Sequence, residues 1–574
     1  MYNFRCRTRI AGGFMIRDYV ANQSKDNNKA VSASAETATN KNVVSKPDAT
    51  DTATHTMDVP TDVEKDINDL KASYDTFLYI SKPFSSTNIN NLYAKAKIYG
   101  LDPVAPSKAR VLELGASCGG NIIPQAMYYP TATFTGIDLS GVQVEHGKEI
   151  IESIGLKNVT LLEKNIMDVD KSFGTFDYII VHGIWSWVPD MVKDKILDIC
   201  SENLSNRGIA YVSYNTYPGW KRLEQLRDIM LYADKRAEDE GLLERTLYTK
   251  SVLKLVAETM NSDDRSRAQS NYKINNINRV LQSNDYYVAH EYLETYNDPV
   301  YVSDFIERAR QHGCAYIGDE SLQRSFITWL SGDVEKNIST LSNGNYIDKE
   351  QFYDYVYDTQ FRMSLLTKLS NEDKINHDET VTQDILNNLY FMAPSRNVKG
   401  VPEDWTNTVH IAIKVLMDTF KEFTVQDIVN YISSHYPGYV IDGDVLYQRL
   451  FLLIVTDNLN IYGSSYPRTP FVENESYIPE RFIKYIETIV EKGGSQYLTP
   501  GNMYNQVDGD VDNGLLYVMK QLAKPISRAD LIANLDENLT VNRTTKDGYN
   551  YVVPTEEYMD EVLTHIEMLG YFEK

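Results

Sequence analysis

At 574 residues the chain is too long for one ordinary hydrophobic core, and two to four domains are expected. Hydrophobic residues at 42% and charged residues at 24% are those of a soluble globular protein, and no run approaches the roughly 18 to 20 apolar residues that cross a bilayer, which argues against an integral membrane protein. The net charge of −23 argues against a general nucleic-acid binder, which needs clustered Lys and Arg, and suits a basic partner such as a lysine-bearing protein surface.

Taken in chain order, residues 1–61 offer no core: an Arg-rich opening leads into a polar, low-complexity stretch that is expected to be disordered. The opening reads either as weakly like an organellar transit peptide or as sequence upstream of a start at Met15; the chain as a whole is expected to be cytoplasmic. Four widely spaced cysteines with no C-x-x-C suit a reducing compartment and give neither a disulfide scaffold nor a thiolate zinc site. Residues 62–82 have helical spacing, as does "INNLYAKAKIYG". Apolar strands then alternate with helices as far as about residue 225: "ARVLELG", "TFTGIDLS", "VTLLEKNI", "FDYIIVHGI" and "GIAYVSYN" are the strands. That pattern predicts a parallel sheet covered on both faces, a Rossmann-like domain over 62–225. Residues 226–375 read as a helical regulatory or dimerisation region, with a disordered-looking patch at "ETMNSDDRSRAQSN". Residues 376–574 carry a weak repeat, "FTVQDIVNYI…VLYQRLFLLIVTDNLNIYG" and "ISRADLIANL…YMDEVLTHIEMLGYFEK". Each copy reads as two helices ending in a short strand, like a winged helix; neither has a basic recognition helix, so protein contacts are expected.

The chemistry sits at the strand ends, where open α/β sheets bind ligands. "VLELGASCGGN" supplies E-x-G-x-S-x-G, with Glu113, Gly115, Ser117 and Gly119; Asp138 ends the second strand, and Asn165 and Ile166 end the third. An acid at the end of strand two can accept hydrogen bonds from both ribose hydroxyls, the role expected of Asp138. A nicotinamide dinucleotide fits the turn loosely, because the middle glycine of G-x-G-x-x-G is missing. S-adenosylmethionine fits better: it has no phosphate, and its ammonium and sulfonium favour the acid at Glu113. Ser117 in place of glycine is expected to demand a different φ there. Asp177, which opens the fourth strand, reads as structural.

The stretches "VLELGASCGGNIIP", "FTGIDLSGVQVEHG", "VHGIWSWVP", "GIAYVSYNTYPGW" and "HEYLETYNDPVYVSDFIERARQHGCAYIGDE" resemble the class I methyltransferases that carry a methyltransferase regulatory domain, including the rickettsial-type protein lysine methyltransferases acting on outer-membrane proteins. One departure is "SSTNINNL", where relatives tend to place a proline before the leucine. The resemblance implies S-adenosylmethionine as cofactor, a lysine of a protein as acceptor, a cofactor-adjacent His182, and a regulatory region that can support a homodimer.

In such enzymes the acceptor attacks the methyl carbon in line, and an aromatic channel helps a lysine lose its proton. Trp185, Trp187, Tyr214, Tyr217 and Trp220 follow strands four and five and are the candidate channel walls. Trp187, Tyr214 and His182 are the candidate catalytic groups, Tyr214 to steer the amine. "HEYLE" at His290 lacks the second histidine of a zinc protease, and Glu291 is expected to cap or pair locally. The alternatives are a small-molecule N- or O-methyltransferase, a nicotinamide oxidoreductase, and a cofactor-binding scaffold without turnover.

Overall fold

The computed structural model describes residues 81–574 apart from 238–239, 328–331, 395–406, 420, 467, 493–497, 507–510, 512, 539–541, 545–549 and 553–554. The N-terminal segment and nearly all of the helix expected from residue 62 lie outside the described residues. Seven strands form one sheet: β1 (Arg110–Leu114), β2 (Thr133–Asp138), β3 (Val159–Glu163), β4 (Phe176–Val181), β5 (Leu204–Asn215), β6 (Cys314–Asp319) and β7 (Phe361–Lys368). Their order is β3-β2-β1-β4-β5-β7-β6. The first five run parallel, and β7 is antiparallel to both β5 and β6. The central strands read as near-continuous apolar runs because both faces are covered: β4 is buried throughout. Alternate residues serve different cores, Tyr178, Ile180, Ile209 and Tyr211 on one face and Ile179, Val181, Val212 and Tyr214 on the other.

The sheet crosses the boundary expected at residue 225. Its last two strands come from the region read as helical, because β7 slots between β5 and β6 and pairs with β5 across more than a hundred residues (Ala210 with Leu366), which local periodicity does not reveal. The rest of that region is helical: α1 (Lys221–Asp234), α2 (Leu242–Ser262), α3 (Asp264–Gln282) and α4 (Asp285–Tyr292) share a small core that includes Trp220, Leu226, Leu253, Ile277 and Val288. The stretch expected to be disordered is instead the junction of α2 and α3, broken only at Asp263, whose backbone is extended.

β7 is pinned from within. Arg362 is fully buried and reaches Asp354 (2.8 Å), Glu350 (2.7 Å) and Asp319 (3.4 Å). Asp319 ends β6, while Glu350 and Asp354 lie on the helix Tyr346–Tyr357. Its three carboxylate neighbours hold the guanidinium firmly charged.

The C-terminal region repeats as its sequence suggests. Helices Val425–His435 and Gly443–Val455 lead to the strand Asn460–Tyr462, which pairs with Tyr390–Met392. Helices Arg528–Asn538 and Thr555–Leu569 lead to Glu573, which bridges to Tyr477. Thr424 and Asp427 form a reciprocal capping box, and at the equivalent helix start the Ser527 hydroxyl donates to Asp530 (2.7 Å) and accepts from its backbone N–H (3.1 Å). This region is not a detached module. The helix Glu480–Glu491 packs on Gly141–Ile154, Ser153 bonds Thr488 (2.9 Å), and the Tyr128 hydroxyl donates to the Leu569 carbonyl (2.6 Å). The asparagines of the departing "SSTNINNL" segment explain that docking. Asn88 caps the helix Ile89–Ile98 and donates to the Met503 carbonyl (3.1 Å), while Asn90 accepts from Gly463 N (2.8 Å) and Ser464 N (2.9 Å). A proline at Asn91 would remove an N–H that bonds Asn88. Among the described residues no helix is long and apolar enough to cross a membrane.

Replacing Arg362 with Met should lower stability by about 3–5 kcal/mol, because the buried Glu350 and Asp354 lose their counter-charge while Asp319 keeps Arg324 (3.1 Å). The check is the denaturant midpoint, and a loss below about 1 kcal/mol would show that the network does not pin β7.

Candidate functional site

The turn after β1 is built by conformation. Gly115, Ser117 and Gly119 all take positive φ (76°, 51° and 80°). Ser117 therefore keeps the left-handed backbone a glycine would adopt, against the expectation of a different φ. Such a φ costs a non-glycine residue about 1–2 kcal/mol, and two bonds offset it here. The Ser117 N–H donates to Asp138 Oδ2 (2.7 Å), and the Ser117 hydroxyl bonds the Gln143 side chain. Ser140 N donates to the other Asp138 oxygen (2.9 Å), so backbone amides aim this carboxylate at the end of β2. The Gly115 and Ala116 amides both donate to the Ile137 carbonyl (2.9 and 3.0 Å), tying the turn to β2.

Glu113 is buried, 4% exposed, and its two oxygens differ. Oε1 accepts from Asn121 Nδ2 (2.7 Å), while Oε2 is buried and has no partner among the described residues. Burial, with the Asp138 charge adding to it, pushes the carboxyl up to about 8 against the lowering bond from Asn121. Asn121 is itself fixed: its Oδ1 accepts from Phe84 N (3.0 Å), the Thr87 hydroxyl (2.9 Å) and Asn505 Nδ2 (2.9 Å).

These groups open on a cavity of about 530 Å³, within the usual range for cofactor pockets. Of the residues expected from sequence, Glu113, Gly115, Ser117, Asp138, Asn165, Ile166, His182, Trp187 and Trp220 line it. Gly119 does not; it lies under the turn, where a Cβ would meet Ile123 and Leu161. Three aromatic residues expected in the channel are elsewhere. Tyr214 falls on the far face of β5, stacked on Phe305 (4.2 Å) and bonded to Ser364 (2.9 Å), because side chains alternate along a strand. It cannot steer an amine. Trp185 is 1% exposed, edge-on to Phe305 (5.1 Å), with Arg308 over its ring (5.6 Å). A 3₁₀ turn spans Trp185–Trp187 and advances about 120° per residue, so the two indoles part company and only Trp187 reaches the cavity. Tyr217 is turned to Glu224 and Tyr301, outside the lining.

His182 lies between Phe84 (3.8 Å) and Tyr211, whose hydroxyl meets its Nδ1 at 3.0 Å. Burial and then the nearby Lys82 hold the imidazole down to about 3, so it stays neutral across the physiological range and forms wall rather than acid. Asp177, as expected, is structural, bonding the Arg110 backbone N–H and guanidinium at 3.0 Å.

Sequence reasoning missed a whole wall. Asn276 and Val280 of α3 and Tyr287, His290, Glu291 and Tyr292 of α4 line the same cavity. Tyr287 and Glu291 stand four apart on one helix, a spacing the sequence did display. Among the described residues Glu291 neither caps nor pairs through its side chain, and its backbone carbonyl accepts from Asn297 (3.3 Å). His290 is the group that pairs locally, with Glu294 at 2.9 Å.

The donor set suits S-adenosylmethionine. Glu113 Oε2 offers a buried, unpartnered acceptor for an ammonium, Asp138 is held where two ribose hydroxyls would lie, and Ile137, Leu139 and Ile166 give an apolar seat for a base. A pyrophosphate fits poorly: the Gly120 amide already donates to Ser81 (2.9 Å), and a phosphate would face Glu113.

Comparison with known proteins agrees. Residues 111–208 match a family described as a methyltransferase domain, 284–368 a predicted methyltransferase regulatory domain, and 469–572 a winged helix domain. The uncharacterised protein RP028 of Rickettsia prowazekii is 34% identical over 241 residues, 42% of this chain and 95% of that protein. The uncharacterised protein RP789 of the same organism is 32% identical over 364 residues, 61% of this chain; the match spans 65% of that relative, just under two thirds of its length. The solved structure of PKMT2 from Rickettsia typhi superposes with TM-score 0.72 at 24% identity, covering 86% of this chain and all of that one, and its complex with AdoHcy gives 0.71. The chain belongs to the class I methyltransferases that carry a methyltransferase regulatory domain, with S-adenosylmethionine as cofactor.

Proposed function

We propose that this protein transfers a methyl group from S-adenosylmethionine to lysine side chains of a protein. The observation that carries the reading is the continuity of the cavity: the wall that begins with Glu113 and Asp138 continues into Trp187, Trp220 and the tyrosines of α4. The cofactor, when bound, supplies an electrophilic methyl carbon. The chain's own part is then to bind, orient and dehydrate. Glu113 takes the cofactor's ammonium and Asp138 its ribose; Asn165 and Ile166 flank the base. Trp187 and Trp220 offer ring faces to a cation, and a dry, aromatic surround favours the neutral amine that must attack. The fold of PKMT2 and the acidity of the chain, which draws lysine-rich surfaces, support a protein acceptor. The winged-helix repeats, docked against the catalytic sheet, would present that acceptor.

The experiment is transfer of labelled methyl from S-adenosylmethionine to lysine-rich bacterial surface proteins, before and after their amines are blocked by acetylation. Label that enters only unblocked protein is the expected result; label confined to small molecules would contradict a protein acceptor. Asp138→Ala should weaken S-adenosylhomocysteine binding by about 1.5–3 kcal/mol in calorimetry, since it removes charged hydrogen bonds to the ribose and frees the turn. Trp187→Ala should lower turnover more than cofactor affinity, and equal losses in both would return Trp187 to a packing role.

A further inference from the structure

We propose that Glu291 is the acceptor's cation-binding residue: its carboxylate, with the rings of Tyr287 and Trp220, receives a primary ammonium at the helical wall of the cavity and takes a proton from it before methyl transfer. This rests on the amine-methylating reading above and assigns that reading's acceptor subsite.

Two independent observations point there. Glu291 lies in the last turn of α4 and lines the cavity, and its carboxylate has neither a hydrogen bond nor an ion pair among the described residues. Burial alone pushes its carboxyl up to about 7, a proton affinity suited to exchange near neutrality. Trp220, 4% exposed in the same wall, buries an indole N–H that likewise has no partner among the described residues. Leaving the Trp220 N–H buried and unmatched is costly, and the half-buried Glu291 carboxylate faces the same cavity, so a cavity that keeps both is shaped for a ligand that satisfies them. A lysine within a peptide brings a cation for the carboxylate and carbonyl oxygens for the indole. The neighbouring charges do not fill the place of that cation. Arg279 of α3 is exposed and makes no ion pair with Glu291, and His290 is turned to Glu294.

The step balances. An N–H bond of the ammonium breaks and its proton passes to a Glu291 oxygen; the freed lone pair forms the N–C bond to the methyl carbon. The C–S bond breaks with its electron pair left on sulfur, as the thioether. The product leaves as a methylammonium, and the Glu291 proton passes to water.

The test uses butylammonium as the lysine side-chain probe, with butanol as its neutral counterpart. Each is titrated by saturation-transfer NMR into the full-length protein bound to S-adenosylhomocysteine. The wild type should favour butylammonium over butanol. Glu291→Gln should lose at least about tenfold of butylammonium affinity with S-adenosylhomocysteine affinity within about twofold, and Glu291→Asp should recover part of the loss. Equal butylammonium affinity in wild type and Glu291→Gln would overturn the proposal, as would no preference over butanol in the wild type. A wild type that fails to bind S-adenosylhomocysteine would overturn the underlying methyltransferase reading, and the proposal with it.

Discussion

The amide of Asn121 stands between three parts of the chain. Its carbonyl oxygen takes hydrogen bonds from Phe84 and Thr87 of the segment leading into the sheet and from Asn505 of the C-terminal region, and its nitrogen is thereby left to donate to Glu113. Three donors on the oxygen fix which end of the amide faces Glu113, and that fixes which carboxylate oxygen remains open to the cavity. Asn505 adopts a left-handed backbone (φ 54°) to make this contact, one of the few non-glycine residues for which that is cheap. A buried carboxyl group with one oxygen bound and the other without a partner among the described residues is suited to a cation, and which oxygen that is depends on how this amide is held.

That arrangement makes the C-terminal winged-helix region part of the cofactor site's support. Leu498 bridges to Ser81, Thr499 N donates to the Ser81 carbonyl (3.1 Å), and Ser81 in turn holds the Gly120 amide of the turn. An acceptor docking on the C-terminal region would thus act on segments that touch the turn directly. The regulatory domain is equally bound in, since its strands β6 and β7 complete the catalytic sheet and its helix α4, beside the preceding α3, closes the cavity. The three family matches along the chain therefore mark stretches of one interdependent structure.

What was legible in the sequence was what short-range chemistry dictates. Apolar runs gave the parallel strands, the acids at their ends gave the ligand-facing edge, and two helical stretches each followed by a short strand gave the C-terminal repeat. Geometry that depends on phase was not legible in the same way. Trp185 and Trp187 differ by two residues and by their side of a 3₁₀ turn; Tyr214 sits one residue from Ser213, which bonds the Gly183 amide (3.0 Å) beside His182. The helical wall was missed for another reason: "HEYLE" prompts a search for metal ligands, whereas the Glu291 carboxylate lines the cavity with no partner among the described residues, which only the packed structure reveals. The antiparallel insertion of β7 was beyond any local pattern.

The central claim is that Glu113 meets the cofactor's ammonium. Without ligand its carboxyl stands near 8, so at pH 7 it is mostly protonated; pairing with an ammonium requires the ionised form, so the proton must leave on binding. Calorimetric titration with S-adenosylhomocysteine at pH 7, in buffers of different ionisation enthalpy, counts that proton. The account predicts release of close to one proton per ligand, fading as the pH is raised through about 8. Tight binding with no proton released at pH 7 would contradict it.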